Sequence, residues 1–134
     1  MLKKVGGIFL LYNKIGEKML FVHYPKCTTC QKAKKWLLEQ GVKITERDIK
    51  ENNPTKDELK NWYEKSELEL KKFFNTSGLI YKDLGLKDKL PAMSIDEQLE
   101  LLATNGMLVK RPIVVANDFI LVGFNEKTWK EQIF

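Results

Sequence analysis

The spacing of apolar residues predicts a strand followed by a helix near the start of the chain. Residues 20–24 form a short β-prone run that Pro25 stops. Beyond it, apolar positions recur at helical spacing, and Gly41 supplies the stop. The face that they form comprises Cys30, Ala33 and Leu37. A strand that leads directly into a helix is therefore expected.

The start of this helix is predicted from a capping box, in which Thr28 caps the helix and Gln31 reaches back to it. This arrangement places Cys27 just outside the helix and Cys30 in its first turn. Residues 42–49 predict a second strand. Because only a helix separates the two strands, we expect them to pair in parallel through a right-handed crossover, which gives a β-α-β half.

The middle of the chain, residues 54–106, has a helical pattern of apolar positions. Two capping boxes mark helix starts within it, one at Thr55 with Glu58 and one at Ser94 with Glu97. We interpret this stretch as a helical insertion and not as a separate domain.

The last part of the chain predicts two strands, at residues 113–115 and 119–122, joined by a tight hairpin at residues 116–118. A short closing helix begins at Glu126. A β-α-β unit, a helical stretch and a β-β-α unit follow one another in the order of a thioredoxin-like α/β fold. The expected sheet is mixed, and its first strand delivers both cysteines to the sheet edge.

Composition narrows the classes of protein that fit. With 134 residues and 43% apolar content, the chain matches one compact domain. The net charge of +5 comes mainly from lysines mixed with glutamates, and the only arginines are Arg47 and Arg111, so direct nucleic-acid binding is not expected. The two cysteines are three positions apart, which fits a reducing, cytoplasmic compartment better than a secreted fold. We expect a monomer that does not enter a membrane.

The segment 1–18 precedes the predicted domain, which covers residues 19–134. Residues 15–19 can be encoded by a purine-rich stretch that resembles a bacterial ribosome-binding site before a start codon. We hypothesise that Met19 is the natural start and that the segment is a translated leader. The alternative is an extra strand formed by residues 8–12.

The motif Cys27-Thr28-Thr29-Cys30 predicts a thiol redox centre. A thiol attacks as its thiolate, and the unpaired N–H groups and dipole of a helix N-terminus favour that anion. The Cys30 S–H can donate to the Cys27 sulfur, and Lys26 adds a positive charge. Two cysteines one turn apart can also close a disulfide, so we expect Cys27 to be the nucleophile and Cys30 the resolving cysteine.

Other interpretations stay open at this point. The cysteines could be half of a zinc site, although no second Cys or His pair completes four ligands, or an inert surface pair. We expect no metal and no bound cofactor. His23, the only histidine, is expected to be a strand residue and not a general base.

A second informative spot is the run Lys110-Arg111-Pro112 before the third strand. Its proline belongs at a strand start or in a cis turn. The guanidinium of Arg111 could hold an anion beside Cys27. The alternative is an ordinary strand-entry proline next to an exposed arginine.

Four segments resemble the ArsC/Spx family, and together they cover residues 19–134. They are CTTC after Tyr24-Pro25-Lys26, FFNTSGLIYKDLGLKDKL, EQLELLATNGMLVKRPIVV and LVGFNEKTW. The resemblance implies a thioredoxin/glutaredoxin-like fold with a helical insertion, Cys27 as nucleophile, and a cis Arg111–Pro112 bond facing it. The anion-binding residues expected are Thr28, Thr29, Arg111 and Pro112.

The family includes glutaredoxin-coupled arsenate reductases, Spx regulators that bind the RNA polymerase α subunit, and reductase-like proteins with no agreed substrate. Arsenate reductases of this type have a single catalytic cysteine and three oxyanion arginines, of which only Arg111 has a match. The position of the family's first oxyanion arginine falls near Asn75. The position of its third falls beyond Ile120, where this chain has no arginine.

The resemblance therefore favours a dithiol redox protein that acts on a thiol or disulfide substrate or on a redox partner protein. An Spx-like regulator and an arsenate reductase are the alternatives. The expected reductant is glutathione with glutaredoxin, or thioredoxin.

Overall fold

A computed structural model describes residues 17–134 of the chain. The hypothesis of a translated leader and the alternative strand at residues 8–12 fall on residues 1–16, outside the described residues. The first strand begins at Lys18, one residue before Met19. No helix in the described part is long and apolar enough to cross a membrane.

The described chain has four strands and six α-helices, in the predicted order. The strands are β1 (Lys18–His23), β2 (Lys43–Asp48), β3 (Ile113–Val115) and β4 (Ile120–Val122). The helices are α1 (Thr28–Glu39), α2 (Lys56–Ser66), α3 (Leu79–Asp83), α4 (Leu86–Lys89), α5 (Ile95–Leu102) and α6 (Glu126–Ile133). Short 3₁₀ turns lie at Leu70–Phe73, Leu90–Ala92 and Gly106–Leu108.

The four strands form one mixed sheet in the order β2-β1-β3-β4. Strands β1 and β2 run parallel, whereas β3 is antiparallel to both β1 and β4. The parallel pair is connected through α1, as a β-α-β unit requires. The predicted thioredoxin-like α/β sheet, with its C-terminal hairpin, is therefore confirmed.

Each face of the sheet is covered by helices, because side chains of neighbouring strand residues point to opposite faces. On one face, Met19 and Phe21 pack against α1 and α6 in a cluster that includes Trp36, Leu37 and Trp129. On the other, Val22 packs against the helical insertion in a cluster that includes Leu59, Trp62, Phe73, Leu99 and Leu102. The insertion thus forms one wall of the core.

Both capping boxes predicted in the insertion are confirmed. The hydroxyl oxygens of Thr55 and Ser94 accept from the main-chain N–H groups of Glu58 and Glu97, and each carboxylate accepts from the N–H of its capping residue. These bonds satisfy N–H groups that the first turn of a helix leaves unpaired. The starts of α2 and α5 are therefore set by local sequence.

The capping box predicted at Thr28 and Gln31 is wrong. Cys27 occupies the capping position of α1, and no side chain caps this helix. Gln31 instead donates from Nε2 to the main-chain oxygen of Pro25 at 2.8 Å. Because no side-chain oxygen occupies the helix start, its N–H groups stay available to the Cys27 sulfur.

Candidate active site

Cys27 and Cys30 lie where β1 turns into α1, at the carboxyl end of a central strand of the sheet. The N–H of Cys27 donates to the main-chain oxygen of Tyr24 at 2.9 Å, which closes the turn after β1. Cys27 is half-buried, whereas Cys30 is completely buried, and both are free thiols in this structure. A molecule in solution can therefore reach the first sulfur but not the second.

Hydrogen bonds lower the pKa of Cys27. Burial acts to raise it, but donation from the N–H and side chain of Cys30, from the N–H of Thr29 and from Arg111 outweighs burial. Donors to a thiolate stabilise the charged form. At a given pH, Cys27 is therefore more often a thiolate than a cysteine in free solution.

The pKa of Cys30 moves the other way, to about 12. Burial is the main cause, and the hydrogen bond to Cys27 and the charge on Cys27 add to it. Burial disfavours the charged form because it removes the solvation of the thiolate. Neighbouring thiols with opposite pKa shifts have different chemistry: Cys27 can attack, while Cys30 keeps its proton and donates.

Arg111 supplies the positive charge beside Cys27. The Arg111–Pro112 peptide bond is cis, as the family resemblance implied. The guanidinium carbon of Arg111 lies 5.4 Å from the centre of the Tyr24 ring. Its Nη1 donates weakly to the oxygen of Met107 at 3.4 Å, and its Nε is buried without a hydrogen-bond partner among the described residues. Lys26, expected to help Cys27, is exposed.

A cleft of about 540 Å³ opens above Cys27. Besides Cys27, its lining comprises Thr29, Asn75, Ser77, Gly78, Lys110, Arg111, Val122, Gly123, Phe124 and Asn125. Of the predicted anion-binding residues, Thr29 and Arg111 face this cleft, whereas Thr28 and Pro112 are not part of its lining. Asn75, placed by the resemblance at the position of a missing arginine, does face it.

Sequence reasoning missed most of the other lining residues. Lys110 belongs to the run before β3 in which the sequence pointed to Arg111 and Pro112. Asn125 could have been found from the sequence as a helix cap, because its side chain caps α6 by accepting from the N–H of Thr128 at 2.9 Å. Ser77 and Gly123 lie in two of the segments that resemble the family, but nothing in those segments marks them as site residues. Tertiary structure alone brings them to the cysteine.

His23 is a strand residue, as predicted. It is buried, its ring centre lies 4.7 Å from that of Phe21, and its Nε2 is 3.2 Å from a carboxylate oxygen of Glu46. Burial lowers its pKa although the Glu46 charge acts to raise it. Within residues 17–134, no cluster of three His, Cys, Asp or Glu side chains could hold a metal ion.

Comparisons with known proteins agree on one family. The model of the ArsC family matches residues 22–132. The chain is 58% identical over 113 residues to the uncharacterized protein YusI of Bacillus subtilis, which covers 84% of this chain and 96% of YusI. It is 34% identical over 103 residues to the global transcriptional regulator Spx of Staphylococcus aureus, covering 76% of each chain.

A solved structure gives the same result for the fold. The putative ArsC family related protein from Bacteroides fragilis superposes with a TM-score of 0.84 at 56% identity, and the match covers 87% of this chain and 97% of that one. This similarity extends over both the sheet and the helical insertion.

Proposed function

The chain belongs to the ArsC family, and from this premise we propose that it is a thiol-disulfide redox protein with Cys27 as nucleophile and Cys30 as resolving cysteine. The observation that carries the proposal is the placement of the two thiols within one helical turn: Cys27 is half-buried at the start of α1, Cys30 is completely buried, and their pKa values shift in opposite directions. A dithiol centre needs an attacking thiolate that substrate can reach and a second thiol held in reserve.

In the proposed reaction, the Cys27 thiolate attacks one sulfur of a substrate disulfide, and the other sulfur leaves and takes up a proton. Cys30 then loses its proton and attacks the Cys27 sulfur, which releases the second substrate thiol. The substrate disulfide gains two electrons and becomes two thiols, while the protein loses two electrons and forms the Cys27–Cys30 disulfide.

The causes of the high Cys30 pKa explain the order of these steps. In the mixed disulfide, Cys27 carries no charge and is no longer a thiolate that accepts a hydrogen bond from the Cys30 thiol, so two of the causes that raise the Cys30 pKa are lost. Burial remains as the third. Cys30 thus becomes a better nucleophile once Cys27 has reacted.

The regenerating electrons must come from another thiol. We propose glutathione with glutaredoxin, or thioredoxin, as the source, acting on a monomer in the reducing cytoplasm. No bound cofactor takes part in this scheme, because each step is an exchange between sulfurs.

Mass spectrometry tests the proposal directly. After mild oxidation with diamide, the protein should lose the mass of two hydrogen atoms and contain a Cys27–Cys30 disulfide that dithiothreitol reverses. Cys30→Ser should trap a mixed disulfide with a small disulfide substrate, whereas Cys27→Ser should not. Two free thiols after oxidation would reject the redox function.

Transcriptional regulation is the second candidate, favoured by the identity to Spx over three quarters of this chain. An Spx-like function predicts that the C-terminal domain of the RNA polymerase α subunit binds this protein and that binding depends on the state of Cys27 and Cys30. We expect no binding in a pull-down with the oxidised or the reduced protein. Formation of a redox-dependent complex would favour transcriptional regulation over the thiol-disulfide redox function as the role of this protein.

A further inference from the structure

Lys110 lies between the cleft at Cys27 and a second groove of about 520 Å³, called here the adjoining groove. Lys110 and Val122 line both. The other residues that line the adjoining groove are Leu68, Glu69, Lys71, Lys72, Phe74 and Thr76. A molecule that fills the cleft can therefore extend past Lys110 into the adjoining groove.

Main-chain contacts fix Lys110 relative to the lysines of the adjoining groove. Its N–H donates to the oxygen of Phe73 at 2.7 Å, and Phe73 directly follows Lys71 and Lys72 in the chain. The side-chain stem of Lys110 lies over Gly123, where an added Cβ would come within 3.1 Å of the Lys110 Cε. Lys110 is thus held at the border of the two concavities.

The cleft and the adjoining groove together form a path to Cys27, and the charged side chains along this path are mostly positive. Lys110 and Arg111 are the charged residues of the cleft lining, and no described carboxylate lines it. The adjoining groove adds Lys71 and Lys72 and one carboxylate, that of Glu69. None of the three lysines forms an ion pair with a described residue. Their combined field attracts negative charge to the path that leads to Cys27.

We infer that the substrate of Cys27 is a disulfide in an acidic polypeptide segment, with the disulfide in the cleft and acidic side chains along Lys110, Lys71 and Lys72. This inference rests on the proposed thiol-disulfide exchange and follows the same electron balance. A polypeptide fits better than a small anion, because a small anion beside Arg111 would leave the lysines of the adjoining groove unused.

Two peptide disulfides test the inference. Each is a disulfide-linked dimer of a short peptide with one central cysteine, flanked by glycine and then by three Glu residues or three Gln residues on each side. Reduced protein is mixed with each dimer at low ionic strength, and the released thiol is measured. We expect the Glu dimer to react about tenfold faster than the Gln dimer, and added salt to reduce the ratio.

Matched variants assign this ratio to the path. Replacing Lys71, Lys72 and Lys110 together by Gln should bring the ratio close to one. A control that replaces Lys35, Lys50 and Lys60 by Gln removes the same charge from exposed positions outside both concavities and should keep most of the preference. A control that loses the preference equally would overturn the inference, since net charge would then explain it.

The remaining outcomes separate the inference from the proposed function. Equal rates for the two dimers would overturn the acidic-segment inference and leave thiol-disulfide exchange standing. No reaction of either dimer, with no mixed disulfide on the Cys30→Ser protein, would overturn both. Dithiodiglycolate is a small anionic disulfide. If its rate of reduction depended on Lys71 and Lys72 as strongly as that of the Glu dimer, the inference that the substrate is a polypeptide would be wrong.

Discussion

The ring of Tyr24 supports the guanidinium of Arg111, whose carbon lies 5.4 Å from the ring centre. A cation over an aromatic face is held by the negative potential of that face. Because Arg111 donates to the Cys27 sulfur, this support reaches the nucleophile through the arginine. Tyr24 also accepts, through its main-chain oxygen, from the N–H of Cys27.

Replacement of Tyr24 by Leu should raise the pKa of Cys27, because Arg111 loses the ring that holds it in place. Tyr24→Phe is the matched control and should leave the pKa unchanged, since it keeps the aromatic face and removes only the hydroxyl. The pH dependence of Cys27 alkylation by iodoacetamide measures the pKa in each variant. An equal shift in both variants would contradict this positioning role of the ring.

We expect the protein to turn arsenate over barely above background when supplied with glutaredoxin and glutathione. Each missing charged hydrogen bond weakens binding by about 1.5–3 kcal/mol, so two missing arginines imply roughly hundredfold to ten-thousandfold weaker productive binding. Vigorous arsenate turnover by the wild-type protein, abolished by Cys27→Ser, would contradict this expectation. Arsenate reduction would then become the favoured function.

Asn75→Arg should raise the trace of arsenate turnover, because Asn75 lines the Cys27 cleft and a guanidinium there can bond an oxyanion. Thr76→Arg is the matched control: its neighbouring position lines the adjoining groove and not the cleft. The ratio of kcat/KM for the two variants is the measurement. Similar activity in both would mean that added positive charge, and not its position, matters.

Glu58→Gln should lower the free energy of unfolding at neutral pH by about 1–2 kcal/mol. The expected loss is no larger because solvent screens the partly exposed carboxylate. The two oxygens of Glu58 accept from Arg47 at 2.6 and 2.9 Å, and these bonds, with those from Thr55, lower its pKa to about 2. The deprotonated carboxylate therefore stabilises the fold above its ordinary pKa of 4.5.

The difference between wild type and Glu58→Gln should shrink as the pH falls from about 4.5 towards 2, because the wild-type carboxyl becomes protonated over that range. Urea unfolding at several pH values measures it. Glu97→Gln removes the charge from a capping box that has no arginine partner, while the amide oxygen of Gln can still accept from the N–H of Ser94, so it should cause a smaller loss. A difference that does not depend on pH would show that the charge of Glu58 is not its cause.

Gly106→Ala should prevent or severely weaken folding. A Cβ at this position would lie 1.7 Å from the main-chain oxygen of Ile49, which is backbone and cannot move aside without shifting the end of β2. Gly41→Ala is the comparison, because Gly41 has open space but a φ of +76°, so its expected loss is only about 1–2 kcal/mol. Urea unfolding measures the loss of stability in both variants, and circular dichroism shows whether each variant is folded. Equal losses in the two variants would contradict the steric explanation.

The elements of the fold were largely predictable because their signals are local. The capping residues Thr55 and Ser94 have side chains that meet N–H groups three residues away, and the hairpin between β3 and β4 follows from two short apolar runs. The predicted box at Thr28 failed because Gln31 bonds instead to Pro25, in the turn that brings β1 into α1. The same local pattern thus supports two different bonds.

The site was only partly predictable, since it joins residues distant in the sequence. The spacing of Cys27 and Cys30 identifies the thiols, but the difference between them depends on burial, which no local pattern reports. Positive charge near the thiols was expected from Lys26, next to the motif, and from Arg111; Arg111 contributes to the lowered pKa of Cys27, whereas Lys26 is exposed. The contact between Lys110 and Gly123 likewise requires the folded chain.

The hydrogen bonds to the Cys27 sulfur also affect the direction of electron flow. They stabilise a thiolate, which exists in the dithiol form and not in the disulfide, so at any pH above the lowered pKa they raise the reduction potential of the pair. Cys30 keeps its proton and does not offset this effect. Each donor that makes Cys27 attack more readily therefore makes the dithiol a weaker reductant. Net reduction of a substrate depends on a more reducing thiol pool that keeps the pair reduced.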